Sequence, residues 1–118
     1  MISATSFTHI YLHRDPVDFR KSINGLAIII EQQMQLSPFE PALFVFCNKG
    51  RDKLKALYWD RTGFCLWYKR LEKEKFKWPR KQPNATLTVS EQQWNWLLSG
   101  LDIQKMQGHQ PVFFEAIQ

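Results

Sequence analysis

At 118 residues, with 44% hydrophobic and 23% charged side chains, the chain has the length and balance of a single globular domain covering residues 1–118. That balance argues against a disordered chain, and no apolar run approaches the ~20 residues that a membrane-spanning helix needs. The formal net charge is +5, which bears on solubility and partners rather than on fold.

The opening Met1-Ile2-Ser3-Ala4-Thr5 has neither the charged start nor the long apolar stretch of a secretory signal, so the expected location is the cytoplasm. His9 to Leu12 reads as a short strand, with Ile10 and Leu12 alternating against His9 and Tyr11. Asp15-Pro16 reads as a helix start: Asp15 can cap free amides, Pro16 suits the first helical position, and Asp18 favours the positive end of the helix dipole. Phe19, Ile23, Leu26, Ile30 and Met34 follow at helical spacing, and the helix is expected to stop before Ser37-Pro38. Ala42 to Cys47 is apolar on both faces, as a central strand would be. Asn48 to Asp52 and Asp60 to Gly63 are turn clusters that separate it from strands at Leu54–Trp59 and Phe64–Arg70, so the three runs predict an antiparallel meander. Leu71 to Pro79 reads as a charged turn followed by a short edge strand, and Arg80 to Ala85 as a polar loop. Ser90 and Gln93 have the spacing of a capping box for a helix whose apolar stripe is Trp94, Leu97 and Leu98 and whose end is Gly100. Pro111 to Phe114 reads as a further strand or a docking tail. The expected fold class is therefore α+β: a small antiparallel meander of three to five strands packed against an N-terminal helix, with a short C-terminal helix.

The charge is unevenly placed. Residues 49–81 hold 12 of the 16 Lys and Arg but only 4 of the 11 Asp and Glu, a net +8 in that segment against −3 in the remainder. Aromatic residues, among them Tyr58, Trp59, Phe64, Trp67, Tyr68, Phe76 and Trp78, are interleaved with those cations. Lys and Arg neutralise phosphates and release counterions, and exposed aromatic rings stack on unpaired bases. The candidate nucleic-acid-binding residues are thus Lys53, Lys55, Arg61, Lys69, Arg70, Lys73, Lys75 and Lys77, with Trp67 and Trp78 as stacking rings and Arg20 and Lys21 as further phosphate contacts. The competing reading is ordinary strand chemistry, in which aromatics fill a core and edge lysines oppose aggregation.

Catalysis finds little support. Metal-dependent strand transfer needs convergent carboxylates, whereas Asp15 and Asp18 serve a helix start and Asp52 and Asp60 serve turns. His9, His13 and His109 have no nucleophile partner pattern, and Gly50 and Gly63 stand alone and make no phosphate-cradling loop. Cys47 and Cys65 lie in no C-x-x-C pair and read as buried thiols, with a disulfide or metal pair as the alternative. No catalytic residue, metal, cofactor or small-molecule substrate is expected, and no membrane partner.

Leu43-Phe44-Val45-Phe46, Lys53-Leu54-Lys55-Ala56-Leu57-Tyr58-Trp59-Asp60, Gly63-Phe64-Cys65-Leu66-Trp67-Tyr68-Lys69-Arg70-Leu71-Glu72 and Phe76-Lys77-Trp78-Pro79, preceded by Asp18-Phe19-Arg20-Lys21-Ser22-Ile23-Asn24-Gly25-Leu26 and followed by Trp96-Leu97-Leu98-Ser99-Gly100-Leu101-Asp102, form a specific pattern covering about nine tenths of the chain. The pattern resembles the TnpB proteins, the second open-reading-frame product of the insertion-sequence family numbered sixty-six. Departures are modest: Arg61 and Glu74 stand at turn positions where glycine is expected, and Ser22 replaces another glycine. The resemblance implies a non-catalytic accessory protein of transposition, acting beside a separately encoded transposase. The expected partners are nucleic acid, DNA foremost, and that transposase. Binding to the transposase alone, through the basic face, is the alternative function.

Overall fold

A computed structural model describes residues 6–106. It contains five strands in one sheet: β1 (His9–His13), β2 (Ala42–Cys47), β3 (Lys53–Asp60), β4 (Gly63–Arg70) and β5 (Thr86–Val89). Their order is β4-β3-β2-β1-β5. Helix α1 (Ile23–Gln32) lies between β1 and β2 in the chain, and α2 (Glu91–Leu98) follows β5.

The β2-β3-β4 meander is antiparallel, with Val45 opposite Ala56 and Ala56 opposite Trp67. The sheet as a whole is mixed, which corrects the antiparallel-only expectation. β1 pairs in parallel with β2, Ile10 beside Leu43, because α1 carries the chain back across the sheet before β2 begins. β1, the strand expected at His9 to Leu12, precedes α1 in the chain. β5, which the sequence pattern left unassigned, adds antiparallel to β1 with Leu87 opposite Leu12.

Each face of the sheet carries its own core. Leu26, Ile29, Ile30 and Met34 of the α1 region pack on Phe44, Phe46 and Leu57. On the opposite face Trp94 and Leu97 of α2 pack with Leu12, Leu43, Val45, Leu54 and Ala56. β2 is buried along its whole length, which is why its sequence is apolar at every position.

Two expectations fail for identifiable reasons. Residues 14–22 do not begin a helix; α1 starts at Ile23. The Asp18 carboxylate accepts from the Arg20 N–H (2.9 Å) and Lys21 N–H donates to Asp18 O (3.0 Å), closing a turn that competes with helix. Val17 N–H meanwhile donates to Cys47 O (3.0 Å) and pins this segment to the end of β2. Nor is Phe76–Pro79 an edge strand. Residues 71–81 form an irregular segment that covers the α2 face and buries Phe76 and Trp78 in its core. Trp78 Nε1 donates to His13 O (3.2 Å) and Arg14 O (3.1 Å), so its polar atom is satisfied inside. The Ser90–Gln93 capping box is present in both directions, and Gly100 adopts φ 88 after α2. Pro111–Phe114 and His109 lie outside the described residues.

Candidate nucleic-acid interface

The turn that joins β2 to β3 is locked by its own side chains. Asn48 Oδ1 accepts from the N–H groups of Asp52 and Lys53 (both 3.1 Å), and Asn48 Nδ2 donates to Asp52 Oδ1 (2.7 Å). That hydrogen bond, reinforced by Lys53 and Lys75 nearby, holds the Asp52 carboxyl below its ordinary range against a small desolvation effect. The chain leaving β4 then returns to this turn: Leu71 N–H donates to Asp52 O and Phe76 N–H to Arg51 O, both at 2.7 Å. Lys53 and Arg70 are cross-strand neighbours at the same end of the sheet. The fold therefore brings residues 49–53 and 69–81, the two basic stretches, to a single end of the molecule.

Most of those cations form no close ion pair among the described residues, although Lys53 and Lys75 lie near the Asp52 carboxylate. Among the described residues, the pair of Arg70 Nε with Glu72 (2.8 Å) is the only ion pair within 4.0 Å that involves the 12 Lys and Arg of 49–81. It is exposed, so it is worth little. Lys73, Lys75 and Lys77 are exposed and Lys53 and Lys69 half-exposed. Lys21 joins this end from the α1 side, because its carbonyl is bonded to Lys55. Arg20 is exposed but engaged, its Nε donating to Asp18 Oδ2 at 2.9 Å. Tyr68, 50% exposed, is the aromatic ring this end offers to solvent.

Four nominated residues lie elsewhere. Lys55 is 7% exposed. Its ammonium donates to Phe19 O (2.8 Å) and Lys21 O (2.9 Å) and sits 4.9 Å from the Phe19 ring centroid, so it braces the 14–22 segment; burial lowers its pKa. Trp67 is half-buried with its ring 6.0 Å from that of Trp94, and Trp78 is in the core. Arg61 occupies the β3–β4 hairpin at the far end of the sheet, roughly 23 Å from Lys53 at the ~3.3 Å rise of a strand residue.

The sequence reading passed over Arg51, Arg80, Lys81 and Lys105. These four and Lys77 line a cleft of about 450 Å³ beside Trp78, on the α2 face of the same end. Asp102 and Gln104 complete its wall. Arg51, Arg80 and Lys81 were visible within the basic block, but nothing in the sequence pattern brings Lys105 to them.

The cysteines are free. Cys47 is buried, and desolvation pushes its thiol up to about 12, so it stays protonated. Cys65 sits two strands away and four residues along β4 from the position across from Cys47, roughly 16 Å at ordinary strand spacing and rise and beyond disulfide reach. Among the described residues no three His, Cys, Asp or Glu converge as a metal-binding group, and no helix is long and apolar enough to cross a membrane.

The family model described as IS66 Orf2 like protein, TnpB, matches residues 8–108. The chain belongs to that family. It is accordingly an insertion-sequence accessory protein. Similar curated proteins include two from Sinorhizobium fredii (strain NBRC 101917 / NGR234). The uncharacterized protein y4jC is 35% identical over 102 residues, covering 86% of each chain. The uncharacterized protein y4hO is 30% identical over 102 residues, 86% of this chain and 88% of its own. No solved structure matches. The matched region of this TnpB-family chain contains both basic stretches and the cleft.

Proposed function

We propose that this TnpB-family chain acts as a single, non-catalytic domain that binds nucleic acid, DNA foremost, through the basic end of its sheet during transposition. The observation that supports this is the gathering of Lys53, Lys69, Lys73, Lys75 and Lys77 around one turn without ion-pair partners among the described residues. Cations held together at one end repel one another, and a polyanion relieves that repulsion while releasing its own counterions. Tyr68 supplies a stacking ring beside them, the role first assigned to Trp67 and Trp78. The expected test result is that Lys69→Ala combined with Arg70→Ala weakens DNA binding in an anisotropy titration and flattens its log–log salt slope by about 1.8, at ~0.9 per duplex phosphate contact. An unchanged affinity and slope would count against the reading.

A second reading has its own observation. At the opposite end Phe39, 56% exposed, packs against Trp59 (5.0 Å between centroids) and Phe64 (5.4 Å). An exposed aromatic cluster of this kind suits a protein partner, and the separately encoded transposase is the one in view. Phe39→Ala is expected to abolish co-purification with that transposase and to leave DNA affinity unchanged. Retained co-purification would remove this reading.

A further inference from the structure

The cleft beside Trp78 combines a concave shape with a fixed donor at its edge and an excess of cations, whereas a smaller hollow at the same end sets Lys73 and Lys75 among Asp52, Glu72 and Glu74. Five cations line it against one carboxylate, Asp102. Asp102 accepts from Gln104 N–H (3.1 Å) and forms no ion pair within 4.0 Å among the described residues. Arg51 is held at its backbone by three constraints: its N–H donates to Asn48 O (3.1 Å), its carbonyl accepts from Phe76 N–H (2.7 Å), and its φ is 60. Its Nε is buried and finds no acceptor among the described residues. A buried guanidinium nitrogen without an acceptor is rare in folded proteins and calls for an explanation. Nε itself is closed to solvent, but an anion on the cleft side of the guanidinium offsets its unpaired charge, because Arg presents a fork of donors that matches phosphate oxygens.

We propose that this cleft takes one nucleotide of an unpaired strand, held by its phosphate. The proposal rests on the nucleic-acid reading above and sharpens it. A volume of about 450 Å³ is the size of a small-ligand pocket. A duplex keeps its nucleotides stacked and paired, and none enters such a cavity unless it is flipped out at a cost in stacking and pairing. A single strand presents its units separately and pays no such penalty. Duplex DNA lies instead on the open surface around Lys69 and Arg70. The phosphate sits between Arg51 and Arg80, with Lys77, Lys81 and Lys105 around it. Trp78, only 6% exposed, contributes the wall and little stacking.

The test is anisotropy titration of a labelled single strand and of the same sequence as a blunt duplex, with the whole chain. Arg80→Ala with Lys81→Ala removes two exposed cations and leaves the core untouched. Arg51→Gly removes the guanidinium while tolerating the positive φ. Each variant is expected to bind the single strand about tenfold more weakly and with a shallower salt slope, by ~0.7 per lost contact. Duplex affinity should fall by no more than about threefold, consistent with one long-range charge effect. Lys69→Ala with Arg70→Ala should show the reverse preference. Equal losses on both forms, or no loss on the single strand while the Lys69/Arg70 variant still weakens binding, would overturn the cleft and leave the broader reading standing. A parent chain that binds neither form would overturn both.

Discussion

Lys55 illustrates how a residue's surroundings can reverse its apparent role. In the sequence it alternates with Leu54 and Ala56 and looks solvent-facing, but its ammonium is buried under the 14–22 segment and donates to two carbonyls. Lys55→Met keeps the stem and leaves both carbonyls without that donor. Urea unfolding should show a loss of about 1–3 kcal/mol, the usual cost of an unsatisfied buried polar group. The same segment carries a pH signature. Hydrogen bonds from Arg20 hold the Asp18 carboxyl at about 2, below its ordinary value of 3.8. A depressed carboxyl contributes its full stability above that ordinary value and loses it as pH falls toward the folded one. A carbon-detected NMR titration should therefore place Asp18 near 2, and Arg20→Ala should return it toward 3.8. Neither Lys55 nor Trp78 was legible as an interior residue, because the groups that satisfy them come from residues 13–21, far away in the chain.

At the scale of elements, what was legible was local. The capping box, the glycine after α2, the β2-β3-β4 meander and its turns follow from residues within a few positions of each other. The start of α1 and the partner of β1 were not, since an Asp18 turn and a parallel pairing across thirty residues decide them. The β3–β4 hairpin offers a sharp check. Arg61 adopts φ 52, a left-handed conformation that disfavours side-chain-bearing residues. Arg61→Gly should raise stability by about 0.5–1 kcal/mol in thermal unfolding, less whatever glycine's extra freedom in the unfolded chain returns. Because Arg61 lies at the far end from the proposed interface, the same substitution should leave DNA affinity within about twofold at moderate salt, where charges that distant are screened. A large affinity loss would move the interface toward the hairpin.

For the whole molecule, the sequence localised charge along the chain but not in space. The +8 of residues 49–81 is spread over two strands, two turns and an irregular segment, and its cations other than Lys55 and Arg61 come to one end only because residues 71–76 fold back on the 48–52 turn. Lys105 joins from outside the block. The molecule that results has two unlike ends: a basic end with a cleft, and an aromatic end at Phe39, Trp59 and Phe64. The most direct test of which end meets nucleic acid is an amide chemical-shift map recorded while a short DNA is titrated into isotope-labelled protein. Binding at the basic end predicts shifts concentrated in residues 49–53 and 69–81, with residues 60–63 and Phe39 unmoved. Shifts centred on the hairpin and Phe39, or none at low salt, would contradict it.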